Sequence, residues 1–175
     1  MDEVTRLAVA AAANDRIALY RLVQATQAQV WRFCAYLAGK DQADDLTQEV
    51  YLRALRSLPT FRGESSAQTW LLAIARRVAA DHHRRMARQR RLKVSAPAHR
   101  TGDVELHGEL QAALDALDSD RRTTFVLTQV LGLSYAETAE VCGCPIGTVR
   151  SRVARARADL VAFLDDGEQQ VGARH

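Results

Sequence analysis

The sequence predicts an all-α protein built as two small helical domains joined by a flexible linker. Three observations carry that expectation. Alanine and leucine dominate, with many Arg, Glu and Gln, and these residues favour helix. Apolar residues recur at three- and four-residue spacing in successive segments, and no region sustains the two-residue alternation of a strand. Between them the periodicity stops, in a polar stretch holding Pro97 and Gly102.

The first expected helix runs from about Asp15 to Ala38. Leu19, Val23, Val30, Phe33, Cys34 and Leu37 form its buried stripe, and Gly39 stops it. A second, from about Gln42 to Ser57, turns Leu46, Val50, Ala54, Leu55 and part of Leu52 inward before Pro59 ends it. Thr60 to Ser66 reads as a loop whose Ser65 or Ser66 caps the next helix. That helix spans about Ala67 to Arg90, with Trp70, Leu71, Ile74, Ala75 and Val78 on one face. After the aperiodic segment, Leu106, Leu110, Ala113, Leu114 and Leu117 make a new stripe. Asp118 or Ser119 then caps a helix that buries Phe125, Val126, Leu127 and Val130. The tail beyond Asp165 is polar and expected to fray. Neither domain has a large core, so both are expected to be marginal alone and to move relative to each other.

Composition narrows the class. Of 175 residues, 47% are apolar, as in a folded domain, and no apolar run reaches the 18 residues a membrane helix needs. The opening Met-Asp-Glu-Val-Thr-Arg lacks the pattern of a signal peptide, which implies the cytosol. Three cysteines, an odd number, do not suggest a disulfide framework. Net charge is only +3, yet unevenly placed. Arg76 to Lys93 holds eight basic residues against the single acid Asp81, whereas Asp41 to Glu49 holds Asp41, Asp44, Asp45 and Glu49 and no base. Surfaces of opposite sign imply different partners.

The densest signal lies near the C-terminus. Ser134 sits at an N-cap position with Glu137 three residues on, the pattern of a capping box. Ala139, Val141 and Cys142 are expected inside, and Gly143 supplies a turn. Pro145 opens a following helix that carries Arg150, Arg152, Arg155 and Arg157. This is the layout of a helix-turn-helix, whose second helix enters a DNA major groove. Val149 and Val153 face the core, which leaves Thr148, Arg150, Ser151, Ala154 and Arg155 toward DNA. Arginine grips guanine edges or phosphates through two N–H groups at once.

The run Leu131-Gly-Leu-Ser-Tyr-Ala-Glu-Thr-Ala139, followed by Cys144-Pro-Ile-Gly-Thr-Val-Arg-Ser-Arg152, resembles the promoter-reading C-terminal domain of bacterial extracytoplasmic-function (ECF) sigma factors. Asp44-Asp-Leu-Thr-Gln-Glu49, Phe61-Arg-Gly63 and Thr69-Trp-Leu-Leu-Ala-Ile-Ala-Arg76 are similar to the same family's first conserved domain. The resemblance covers nearly the whole chain in the right order. It implies sigma domain 2 over residues 1–91, a linker over 92–104, and sigma domain 4 over 105–175. It further implies core RNA polymerase and promoter DNA as partners and a controlling anti-sigma factor.

Roles follow from the resemblance. Asp44, Asp45, Gln48 and Glu49 correspond to the surface that docks on the polymerase clamp helices, where exposed carboxylates give steering and register. Helix N-terminal acids favoured by the macrodipole account for part of the same pattern. The block from Phe61 to Arg85 corresponds to the part that opens and reads the −10 element. Phe61, Arg62, Ser65 and Ser66 are expected to hold a flipped base, with Arg76, Arg77 and Arg84 on the backbone. Arg77 and Asp81, one turn apart, are expected to read base edges together. Trp70 fits either a core position or a stacking platform. Phe61 and Trp70 are the only aromatics of that block, which implies modest melting power and strict dependence on both promoter elements.

Cys142 and Cys144 form a lone C-x-C without the second ligand pair of a structural zinc. Cys34 falls on a core stripe, and the adjacent His82 and His83 point apart on a helix, where they would add to the phosphate-facing surface. No catalytic, metal-binding or cofactor-binding constellation emerges. The rival is a stand-alone helix-turn-helix regulator binding an operator. It would need a sensor or dimerisation domain in the first 90 residues, which the acidic and basic helices fit poorly.

Overall fold

In the computed structural model, residues 1–92 and 106–172 are described, and among them the chain is helical without strands. The expected linker falls mostly on residues 93–105, outside the described residues.

The first unit opens with a helix the sequence reading did not anticipate. This α1, Glu3–Ala12, is capped by Asp2, whose carboxylate accepts the N–H of Thr5 at 2.9 Å. Thr5, Ala8 and Ala11 lie buried at helical spacing. Asn14, at φ +69°, turns the chain into α2, Arg16–Ala38. Asp15 caps α2 by accepting from Ile17 and Ala18 at 2.9 and 3.0 Å. Gly39, at φ +91°, separates α2 from α3, Lys40–Ser57. Pro59 sits in a 3₁₀ turn, Leu58–Thr60. The loop then leads into α4, Ala67–Leu92, where Ser66 Oγ accepts from Thr69 N at 3.0 Å.

The second unit contains α5, Leu106–Ala116, and α6, Ser119–Phe125, which Asp118 caps through Asp120 and Arg121. The helix widens at Val126–Val130 into a single π turn, closed by Leu131 N on Val126 O at 2.9 Å. Next come α7, Tyr135–Cys142, and α8, Ile146–Gly172. The backbone of α8 stays helical past Asp165, where fraying was expected. Glu168, Gln169 and Gln170 favour helix there.

The helical stripes are correct in period and displaced in places. Leu22 and Thr26 fill the core of α2, and Leu19 and Val23 are half-buried. Leu52, Leu55 and Leu110, expected inward, are exposed, whereas Val30, Phe33, Cys34, Val50, Leu71, Leu72 and Val78 are almost fully enclosed.

The two units do not stand apart, as marginal domains on a linker were expected to. Leu114, Leu117, Val126, Leu127, Leu133, Val141 and Cys142 of the second unit join the apolar cluster of α2, α3 and α4. The short helices α5 to α7 carry more apolar surface than they can cover among themselves, and burying it on α2 and α4 removes it from water. The C-terminal end of α2 supplies polar anchors. Its last carbonyls have no partner within the helix. Arg122 Nη1 donates to Leu37 O at 3.2 Å and Gln111 Nε2 to Tyr36 O at 3.4 Å, both from the second unit.

Candidate nucleic-acid and polymerase interfaces

The helix-turn-helix is built as the spacing requires. Ser134 Oγ accepts from Glu137 N at 3.2 Å, while Ser134 N donates to Glu137 Oε2 at 2.8 Å, completing the capping box. The Ser134 hydroxyl and N–H hold the Glu137 carboxyl below the usual range. Gly143 takes the left-handed conformation, φ +62° and ψ +40°. Ala139, Val149 and Val153 pack into one small core. They fix the orientation of α8, so that Arg150, Ser151, Ala154 and Arg155 are exposed and Thr148 is half-exposed at the rim.

The four arginines of this helix divide. Arg150 and Arg155 face solvent. Arg157 donates to Gln129 Oε1 at 2.8 Å. Arg152 turns back onto α6 and pairs with Asp120, and its other nitrogen reaches Cys144 Sγ at 3.8 Å. Arg152 is therefore an internal tie of the motif. Nothing in the spacing of the arginines distinguishes it, because its partner lies 32 positions earlier.

In the first unit, Phe61, Arg62 and Ser65 line a cavity of about 350 Å³ together with Thr60, Glu64 and Trp70. The Phe61 and Trp70 rings meet at 4.9 Å between centroids, tilted by 43°. Trp70 packs on the core clusters, as one of its two readings expects, and also walls the cavity. Ser66 is not in this wall. Its hydroxyl is engaged with Thr69 at the start of α4.

Arg76, Arg77, Asp81 and Arg84 are brought together with Arg53, His83, Asp120 and Arg122 around a cleft of about 730 Å³ between the units. Arg76 lies 4.0 Å from Asp120 of α6. Arg77 and Asp81, expected to read base edges together, both line this cleft. Asp81 accepts from Arg53 Nη1 at 2.7 Å and from Arg84. Arg53, with Arg84 beside it, holds the Asp81 carboxyl below the usual range. Arg53 reaches Asp81 from α3, 28 positions away, with Glu49 Oε1 on its other side at 2.7 Å.

The acidic face of α3 is mostly open. Asp45 and Gln48 are exposed. Asp44 accepts from Trp31 Nε1 at 2.7 Å, so the indole of α2 frames this face. Glu49 is half-buried and turned to Arg53. Asp45 and Glu49 border a hollow whose opposite wall is His82, Arg85, Met86 and Gln89 of α4.

The two histidines diverge, with ring centroids 5.9 Å apart at 69°. His83 Nε2 lies 2.9 Å from Leu37 O, so it belongs to the end of α2 rather than to an open basic surface. Burial, aided by His83 and Arg85, pushes the His82 pKa down. Burial also pushes the Cys34 and Cys142 thiols up to about 11. Among the described residues no three His, Cys, Asp or Glu side chains gather as a metal site would require. No described helix is long and apolar enough to cross a membrane.

Comparison with known proteins gives the two units their names. The Sigma-70 region 2 family matches residues 22–90, and the Sigma-70, region 4 family matches residues 107–160. The ECF RNA polymerase sigma factor SigC of Mycobacterium tuberculosis is 50% identical over 168 residues, covering 92% of this chain and 91% of that protein. The ECF RNA polymerase sigma factor EcfG of Rhodopseudomonas palustris is 38% identical over 151 residues, covering 80% and 82%. Among solved structures, CnrH in complex with the cytosolic domain of CnrY superposes with a TM-score of 0.76 at 27% identity, covering 94% of this chain and 99% of that one. The sigma factor RpoE of Bartonella quintana, in complex with the anti-sigma factor NepR, gives 0.71 at 28%, covering 84% and 96%. With both sigma regions present in order, and a relative 50% identical over 92% of the chain, the chain belongs to the ECF RNA polymerase sigma factors of the sigma-70 family.

Proposed function

We propose that this sigma factor acts in the cytoplasm by binding rather than by catalysis, with residues 1–91 as the unit that docks on core RNA polymerase and reads the −10 element, residues 92–104 as linker, and residues 105–175 as the unit that reads the −35 element. The observation that carries this reading is the exposed strip Arg150, Ser151, Ala154 and Arg155 above the buried Val149 and Val153. A helix oriented in that way offers its polar side to a major groove. Thr148 completes the strip at its N-terminal end.

In the first unit, Asp44, Asp45 and Gln48 form the polymerase-facing surface, and Glu49 steadies Arg53 behind it. Phe61, Arg62, Ser65 and Trp70 receive the flipped −10 base, with Ser66 shaping the loop. Arg76, Arg77 and Arg84 hold the strand, and Asp81 sets the position of Arg84. In the free protein these residues look into the cleft against α6, so docking on polymerase must draw the units apart before both elements are read. Two weak modules then bind as one, because the polymerase fixes their separation.

The similar structures CnrH and RpoE are described in complexes with CnrY and the anti-sigma factor NepR. By that likeness, this chain is also held by an anti-sigma factor that covers its polymerase-facing surfaces. The test is gel filtration with purified core polymerase. Stoichiometric co-elution supports the reading. A chain that binds duplex DNA alone and ignores polymerase would instead be an operator-binding regulator.

A further inference from the structure

The region 2 match starts at residue 22, so α1 lies ahead of it. Yet α1 holds the loop that forms the cavity of Phe61, Arg62, Ser65 and Trp70 at three places. The first is polar. Thr5 is buried at 2% exposure, and its hydroxyl donates to the Asp2 carboxylate at 2.6 Å. The same hydroxyl accepts the backbone N–H of Ala67 at 2.9 Å, across 62 positions. Ala67 opens α4, where the first N–H groups have no partner within the helix. Ser66 satisfies Thr69, and Thr5, from another helix, satisfies Ala67.

The second place is steric. Gly63, at φ +73°, lies against α1 so closely that a Cβ there would stand 3.2 Å from Val9 Cγ2 and 3.3 Å from Met1 Cε. The third is apolar. Phe61 and Trp70, two walls of the cavity, pack on the cluster of Ala8, Ala11, Ala18, Leu22, Leu58 and Ala67.

We propose that Thr5 is a positioning residue for the base-receiving cavity and that α1 belongs to the −10 reading device. The inference rests on the reading of that cavity as the −10 pocket. Thr5 fixes where α4 begins, and thereby where the loop from Phe61 to Ser66 ends. Without the hydroxyl, Ala67 N–H is a buried donor left unpaired, and it regains a partner only if the end of the loop moves toward water. That movement separates Phe61, Arg62 and Ser65 from Trp70 and spoils the cavity for an unstacked base.

The experiment uses the full chain assembled with core polymerase. Thr5→Val keeps the shape and removes the acceptor, and Thr5→Ser restores it. Three affinities are read: for a single-stranded −10 oligonucleotide, for a −35 duplex, and for polymerase. Thr5→Val should lose about tenfold on the single strand, as expected for one unpaired buried donor. It should change the other two affinities less than about twofold, and Thr5→Ser should bind the single strand within about twofold of the parent. Unchanged single-strand affinity in Thr5→Val overturns the proposal. So does a proportional loss of all three affinities, which would mark Thr5 as a general folding residue. If the parent assembly binds polymerase and the duplex but never the single strand, the −10 reading of the cavity itself falls.

Discussion

Arg122 of the second unit reaches Leu37 of the first, donating to its carbonyl at 3.2 Å from a side chain only 12% exposed. Asp115 pairs with the same guanidinium at 2.9 Å, and burial pushes the Arg122 pKa down. The contact places a partly desolvated cation at the carbonyl end of α2, where the helix dipole favours positive charge. It joins the units in a place that separate domains would leave open.

That junction predicts how the units come apart. Val141 is 3% exposed within the shared cluster. Val141→Glu places a carboxylate there without a designed partner, which costs several kcal/mol of packing between the units. Small-angle scattering should show a larger radius of gyration for the variant at unchanged helical content. An unaltered radius would mean that the shared core does not hold the units together.

The arginines of α8 should separate by role. Arg150→Ala should weaken binding to the −35 duplex and reduce its salt dependence, because an exposed groove-facing cation is lost. Arg152→Ala should lower the melting temperature while changing DNA affinity less, because Arg152 is tied to Asp120. Fluorescence anisotropy over a salt series, paired with thermal melts, distinguishes them. Arg77→Ala, like Arg150→Ala, should abolish run-off transcription from the cognate promoter.

The capping box gives a local prediction. Ser134→Ala removes the acceptor for Glu137 N and should cost about 1 kcal/mol. The change should appear as a lower denaturant midpoint with an unaltered slope.

Acid should loosen the first unit through Asp81. Arg53 and Arg84 depress its folded pKa below the unfolded value. Its contribution is therefore complete above the ordinary carboxylate range, near pH 4, and is lost as pH falls through the folded value. Asp81→Asn should lower stability at pH 7, and the gap to the parent should narrow between about pH 4 and pH 2. Thermal melts across that range check it, and a gap that stays constant would remove Asp81 from the acid response.

Thiol labelling tests the burial pattern. Cys34 and Cys142 are buried with thiols pushed up to about 11, whereas Cys144 is partly exposed. At neutral pH an alkylating reagent should modify Cys144 first, with the other two following only as the protein opens.

Local signals in the chain were readable, and relations between distant segments were not. Asp15, Ser66, Asp118, Ser134 and Gly143 mark helix ends by chemistry within four residues, and each cap is where its pattern places it. The outward strip of α8 follows from the inward Val149 and Val153. The pairing of Asp81 with Arg53 joins two helices, so no local spacing displays it. Arg152 looks like its neighbours until α6 brings Asp120 against it. The helix α1 is not legible in the opening Met-Asp-Glu-Val-Thr-Arg, whose acidic start shows only the lack of a signal-peptide pattern. Its small apolar residues Ala8 and Ala11 gain meaning only beneath Phe61 and Trp70. The joining of the units depends on apolar residues spread over six helices, which no single stripe displays.

The account as a whole stands on promoter choice by both units acting through polymerase. The measurement that tests it most directly is run-off transcription by core polymerase loaded with this chain on a randomised promoter library. Transcripts should be enriched for two short sequence blocks at a fixed separation, and Arg150→Ala should yield no such enriched transcripts. Transcription without sequence selection, or none above that of core polymerase, would contradict it.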